Sequence, residues 1–87
     1  MSVQINYYAG AAAAAGTTAE TVDTAGLTFG QLKQRLAAAH PAVPGQPVLH
    51  DVLTRSSFLL DGLAVRDDAR VLDGAGALDV LPPFAGG

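Results

Sequence analysis

The chain is 87 residues long, sets 5 Lys and Arg against 8 Asp and Glu for a net charge of −3, and contains no cysteine. A chain of this length forms one small domain, burying about 60–65% of the surface its unfolded form exposes, and has no room for a deep cleft between domains. The missing cysteine excludes disulfides, thiolate metal sites and cysteine nucleophiles, and five scattered cations give no basic stripe for nucleic acid.

In "SVQINYY", Val3, Ile5 and Tyr7 alternate with Gln4, Asn6 and Tyr8. That period of two predicts a half-buried first strand. "AGAAAAAG" follows, an alanine run bracketed by Gly10 and Gly16. Alanine favours helix, so segment 9–16 reads as one or two helical turns or as a loop. "TTAETVD" sets Thr18, Glu20 and Val22 at period two and predicts a second strand, paired with the first as a hairpin.

"LTFGQLKQRLAAAH" is the clearest helix. Thr28 followed by Gln31 makes a capping box. Phe29, Leu32, Leu36 and Ala39 form one apolar stripe, with Lys33 and Gln34 on the wet face. His40 before Pro41 marks the end, because proline pushes the preceding residue out of helical geometry. "PAVPGQP" is a turn-rich linker. "VLHDVLTR" predicts a short second helix with Val48, Leu49, Val52 and Leu53 on one side.

"SSFLL" reads as a strand running into Asp61-Gly62, a hairpin signal because glycine accepts positive φ. A short strand in "LAV" and a polar connector, "RDDARVLDGAG", come next. "ALDVLPP" is the last strand, with Leu78 and Val80 inward and Asp79 outward. Proline ends it, having no amide to give a ladder.

This order predicts an α+β fold in two layers. A mixed sheet of four to five strands carries one main helix on one face. The first and last strands lie parallel in its middle, which is the β-grasp arrangement of ubiquitin. The domain spans residues 1–81, and residues 82–87 form a projecting tail. Gly86 and Gly87 have no Cβ, so such a tail threads a slot too narrow for side chains. Pro82 and Pro83 stiffen its exit. The plainer alternative is a frayed chain end.

The chain resembles the MoaD/ThiS family of ubiquitin-like sulfur carriers, to which the small subunit of molybdopterin synthase belongs. The likeness runs over essentially the whole chain. It is carried by "INYYAG" and, from Phe58 onward, by "FLLDGLAV", "VLDG", "LDVLPP" and the terminal "PPFAGG". The sequence departs from the family pattern at three places. Asp61-Gly62 stands for the usual Asn-Gly, Gly74-Ala75-Gly76-Ala77 enters the last strand without an acid, and alanines replace a more charged turn.

The resemblance implies that the Gly87 carboxylate is adenylated by a ubiquitin-activating-like enzyme using ATP. A sulfurtransferase then converts it to a thiocarboxylate. The large subunit of molybdopterin synthase, in a heterotetramer, receives the tail and uses the sulfur to build the dithiolene of molybdopterin. Gly87 carries the sulfur, Gly86 keeps the approach thin, Ala85 and Phe84 sit in the partner's tunnel or at its mouth with Phe84 as the hydrophobic anchor, and Pro83 and Pro82 aim the tail. Without cysteine, carried sulfur has only the C-terminal carboxyl to sit on. On this reading the chain is no enzyme alone and binds no cofactor or metal. Two alternatives stand beside it. One is a carrier for thiamine or another sulfur-containing metabolite; the other is a ubiquitin-like modifier joined to lysines.

The other candidates are weaker. His40 and His50 lack ligand spacing, and Asp61, Asp67 and Asp68 read as turn and connector residues. Phe58 and Leu60 are either core or a docking patch, and the strand pattern favours core. No Lys or Arg precedes the alanine run, and Gln4 and Asn6 interrupt the apolar start. A secretory signal is therefore not expected. No stretch reaches the ~20 apolar residues of a membrane span, and the expectation is a cytoplasmic protein.

Overall fold

The computed structural model describes residues 2–83. The elements are β1 (Ser2–Tyr7), α1 (Ala9–Ala15), β2 (Ala19–Asp23), α2 (Phe29–Ala39), α3 (Leu49–Arg55), β3 (Ser57–Leu60), β4 (Leu63–Ala64) and β5 (Ala77–Leu81). The five strands form one sheet in the order β2-β1-β5-β3-β4. β1 and β5 are parallel in the middle, with Ile5 beside Leu78 and Tyr7 beside Val80. The other neighbours run antiparallel.

Period two sorts the sheet into two faces. Val3, Ile5, Tyr7, Phe58, Leu60, Leu78 and Val80 are buried in one core with Phe29, Leu32 and Leu36 of α2 and Leu49 and Leu53 of α3. The Phe29 and Phe58 rings meet edge-to-face at 5.0 Å between centroids, which joins helix to sheet. The opposite face carries Gln4, Asn6, Leu59, Asp79 and Leu81, none of them fully buried. Phe58 and Leu60 are thus core, as their strand pattern favoured.

The alanine run folds as a helix. It starts from Ala9 at φ 48° and ends at Gly16 in the left-handed region, whose N–H donates to the Ala12 carbonyl at 2.9 Å. Propensity alone does not decide this; Ala11, fully buried, anchors the turn on the core.

α2 begins as its sequence predicts. The Gln31 N–H donates to Thr28 Oγ1 at 3.2 Å, and the Thr28 N–H donates to Gln31 Oε1 at 2.9 Å. Its apolar stripe is shorter than the sequence pattern. Ala39 is exposed and lines an open groove with His40 and Val43, because the last turn of α2 overhangs the core. Lys33, expected on the wet face, is folded back instead: its ammonium lies 4.5 Å from the centroid of the Phe29 ring.

The polar connector is also more than a solvated loop. Leu72 is fully buried, Val71 bridges Thr28, and the Leu72 N–H donates to the Leu27 carbonyl at 3.1 Å. Two first-turn amides of α2 donate into the connector. Phe29 N–H reaches the Arg70 carbonyl at 2.8 Å and Gly30 N–H reaches that of Asp68 at 3.0 Å. These are groups a helix start cannot satisfy internally.

Candidate functional site

The last strand decides where the chain is presented. β5 is held on both sides, by β1 through Val80 and by β3 through Leu81 opposite Ser57. At Pro82 the pairing stops, since proline has no N–H for either neighbour. Pro82 is half-buried and Pro83 exposed, so the chain turns from core to surface within these two residues. Parallel pairing brings this exit beside the end of β1, where Tyr8 is 48% exposed. The expected sulfur-bearing and tunnel residues, Phe84, Ala85, Gly86 and Gly87, lie outside the described residues.

The open sheet face next to the exit is partly polar. Gln4 Nε2 donates to Asn6 Oδ1 at 2.8 Å, and Asn6 Nδ2 donates across the parallel pair to Asp79 Oδ1 at 2.9 Å. Beyond Asp79 the half-buried Leu59 and Leu81 lie diagonally across β3 and β5. The apolar residue that "SSFLL" offers to the outside is therefore Leu59, between the two that it buries. Strict alternation through Phe58, Leu59 and Leu60 is the signal that assigns it.

On the helix side, one cluster of polar groups escaped the sequence reading. Tyr7 Oη donates to Glu20 Oε2 at 2.8 Å, and His40 Nε2 sits 2.5 Å from the same oxygen. The Tyr7 and His40 rings meet edge-to-face at 6.1 Å. The cluster ties β1 and β2 to the C-cap of α2. Burial, and then the Glu20 carboxylate, hold the Tyr7 phenol well above its ordinary pKa.

A group whose pKa rises on folding contributes stability that is complete below its unfolded pKa and is lost at higher pH. We expect stability to fall above about pH 10, where the unfolded phenol ionises. Tyr7→Phe should cost about 1 kcal/mol at neutral pH and flatten that alkaline decline. Urea unfolding across the alkaline range checks this, and parallel declines for both proteins would remove Tyr7 as the responsible group.

His50 Nδ1 lies 3.3 Å from Asp51 Oδ1 at the exposed surface of α3. No group of three potential metal ligands exists among the described residues. None of their helices is long and apolar enough to cross a membrane.

No family model and no curated protein matches the chain. Solved structures do. The crystal structure of SAMP1 from Haloferax volcanii aligns with a TM-score of 0.75 at 23% identity, covering 100% of both chains. That of H. volcanii small archaeal modifier protein 1 aligns at 0.68 and 22% identity, covering 95% of this chain and 98% of the other. The fold is a β-grasp. At such identities the likeness is one of architecture, and it agrees with the sheet order and the parallel central pair.

Proposed function

We propose that this protein is a sulfur carrier whose Gly87 carboxyl is adenylated and then converted to a thiocarboxylate. It serves as the small subunit of molybdopterin synthase. The supporting observation is the end of β5: a central strand, locked by neighbours on both sides, released at Pro82-Pro83 directly before "FAGG". A rigid sheet with such an exit suits delivery of a slender chain end into another protein's active site. Pro82 and Pro83 aim that end, Ala85 and Gly86 keep it narrow, and Phe84 anchors it by its ring. The open face with Leu59 and Leu81 offers the partner an adjacent surface. Chemistry belongs to the partners: an ATP-using activating enzyme, a sulfurtransferase and the large subunit.

A second reading is a ubiquitin-like protein modifier. It is favoured by one observation, that a structural neighbour is named small archaeal modifier protein 1. The two readings share the activated carboxyl and diverge at the acceptor. Incubation with an activating enzyme, ATP and a sulfur donor, followed by intact mass measurement, separates them. The carrier gains the mass of one sulfur in exchange for one oxygen, in the C-terminal peptide. Conjugates on lysines of other proteins, with no such exchange, favour the modifier. Neither product from a competent enzyme overturns both.

A further inference from the structure

Lys33 is the only lysine in the sequence. In any protein whose own carboxyl becomes an activated acyl group, such an amine is a hazard. The lysine of one copy can attack the acyl-adenylate of another. The new N–C amide bond forms, the bond from acyl carbon to phosphate oxygen breaks, AMP leaves with that electron pair, and the amine's proton passes to solvent. The product is a dead-end dimer.

The side chain of Lys33 is only 27% exposed. Its ammonium pairs with Asp68 Oδ1 at 2.8 Å. It also lies over two rings, 4.5 Å from the Phe29 centroid and 5.6 Å from that of Phe58. The carboxylate is held there by the main chain. The Asp68 carbonyl accepts from Gly30 N–H, and the next turn of the connector is closed by Arg70 N–H to the Asp67 carbonyl at 3.0 Å. Ala69 N–H adds a bond to Asp67 Oδ1 at 2.9 Å. Gly30 makes the approach possible, for a Cβ there would stand 3.0 Å from the Cβ of Asp68.

We propose that the connector guards Lys33 against acylation, so that the activated carboxyl is not captured by a second copy and the protein is passed on as single units. This rests on the reading of Gly87 as the activated group. An amine must leave both the carboxylate and the ring faces before it can act as a nucleophile. Each of these contacts is modest at a partly exposed site, and together they slow attack rather than forbid it.

The guard is tested without any partner. Acetylation by an N-hydroxysuccinimide ester, read by peptide mass, should modify Lys33 about fivefold more slowly than free N-acetyl-lysine amide. Asp68→Asn should raise the rate about threefold. That side chain is 68% exposed and the Gly30 bond uses the main chain, so the fold is retained. High salt should accelerate the unaltered protein in the same direction, because it screens the ion pair.

With activating enzyme and ATP, Asp68→Asn should accumulate dimers linked from Gly87 to Lys33, and the unaltered protein should not. Lys33 labelled as fast as the free amine, or an Asp68→Asn rate equal to the unaltered one, overturns the guard. So do Lys33-linked dimers of the unaltered protein. If no adenylate forms on either protein, the reading of Gly87 fails, while the labelling rates still decide the guard.

Discussion

One residue added after Gly87 is expected to abolish carboxyl activation while leaving the unfolding midpoint unchanged. The two halves of that expectation have separate causes. Among the described residues, every buried core residue lies at or before Val80, so a residue added after Gly87 leaves that described interior unchanged. Changes away from such features usually stay within about 0.5 kcal/mol. Activation, by contrast, needs the carboxyl at one place relative to the enzyme's nucleotide. A displacement of a single residue moves it by about 3.5 Å, far beyond the tolerance of a reacting pair. ATP–pyrophosphate exchange measures the first half and thermal unfolding the second. Full exchange by the extended protein would remove Gly87 from its proposed role.

Asp61→Ala is expected to cost about 2–3 kcal/mol, large for an exposed residue of an 87-residue chain. Asp61 does two things. It occupies the left-handed region at φ 49°, where Gly62 follows at φ 84° to complete the turn between β3 and β4. Its carboxylate also reaches across to the start of β5. Oδ1 accepts from Gly76 N–H and from Ala77 N–H, each at 2.9 Å, and Oδ2 accepts from Gly76 at 3.1 Å. Hydrogen bonds to an ionised acceptor are worth more than neutral ones, and alanine tolerates positive φ poorly.

Asp61→Asn keeps one acceptor oxygen and a residue suited to the turn, so it should lose only about 1 kcal/mol. Chemical denaturation of both variants checks the order. Equal losses would show that the ionised carboxylate, which both variants lack, sets the effect, and an Asn variant as stable as the unaltered protein would assign it to the backbone angle.

The local signals were legible in the sequence because each is written in neighbouring residues. Thr28 and Gln31 fix the start of α2, and Asp61-Gly62 fixes a hairpin. The alternation of Val3, Ile5 and Tyr7 fixes a buried strand face. What escaped depends on residues distant in the chain. Asp61 reads as a turn residue, yet its carboxylate is spent on Gly76 and Ala77. Lys33 follows the pattern of a wet face, and nothing near it in sequence announces that Asp68 will settle on it. The meeting of Tyr7, Glu20 and His40 needs three elements to assemble first. Ala39 fits the helical period but lies past the edge of what the core covers. The alanine run could not be decided locally, since its helix depends on Ala11 finding a buried place.

The tail itself was the most legible candidate, and for the same reason: "PPFAGG" is a local feature directly following a strand signal. Its expected residues from Phe84 to Gly87 lie beyond those described. The structure contributes the platform in front of them, a strand paired with β1 up to Val80 and with β3 up to Leu81.

The parallel pairing of β1 with β5 also bears on when a copy becomes usable. The sheet cannot close in the order in which it is synthesised. Among the described strands β1 is made before its central neighbour β5, which is inserted between β1 and β3 after both exist. Pairings this distant in sequence are reached late, after the entropy of closing nearly the whole chain has been overcome. A truncated or misfolded copy therefore has no seated β5 from which to present an end. Seating that strand is the step that completes the sheet, and on the proposed reading it acts as a proofreading step, since the end that β5 carries is presented only when folding is complete.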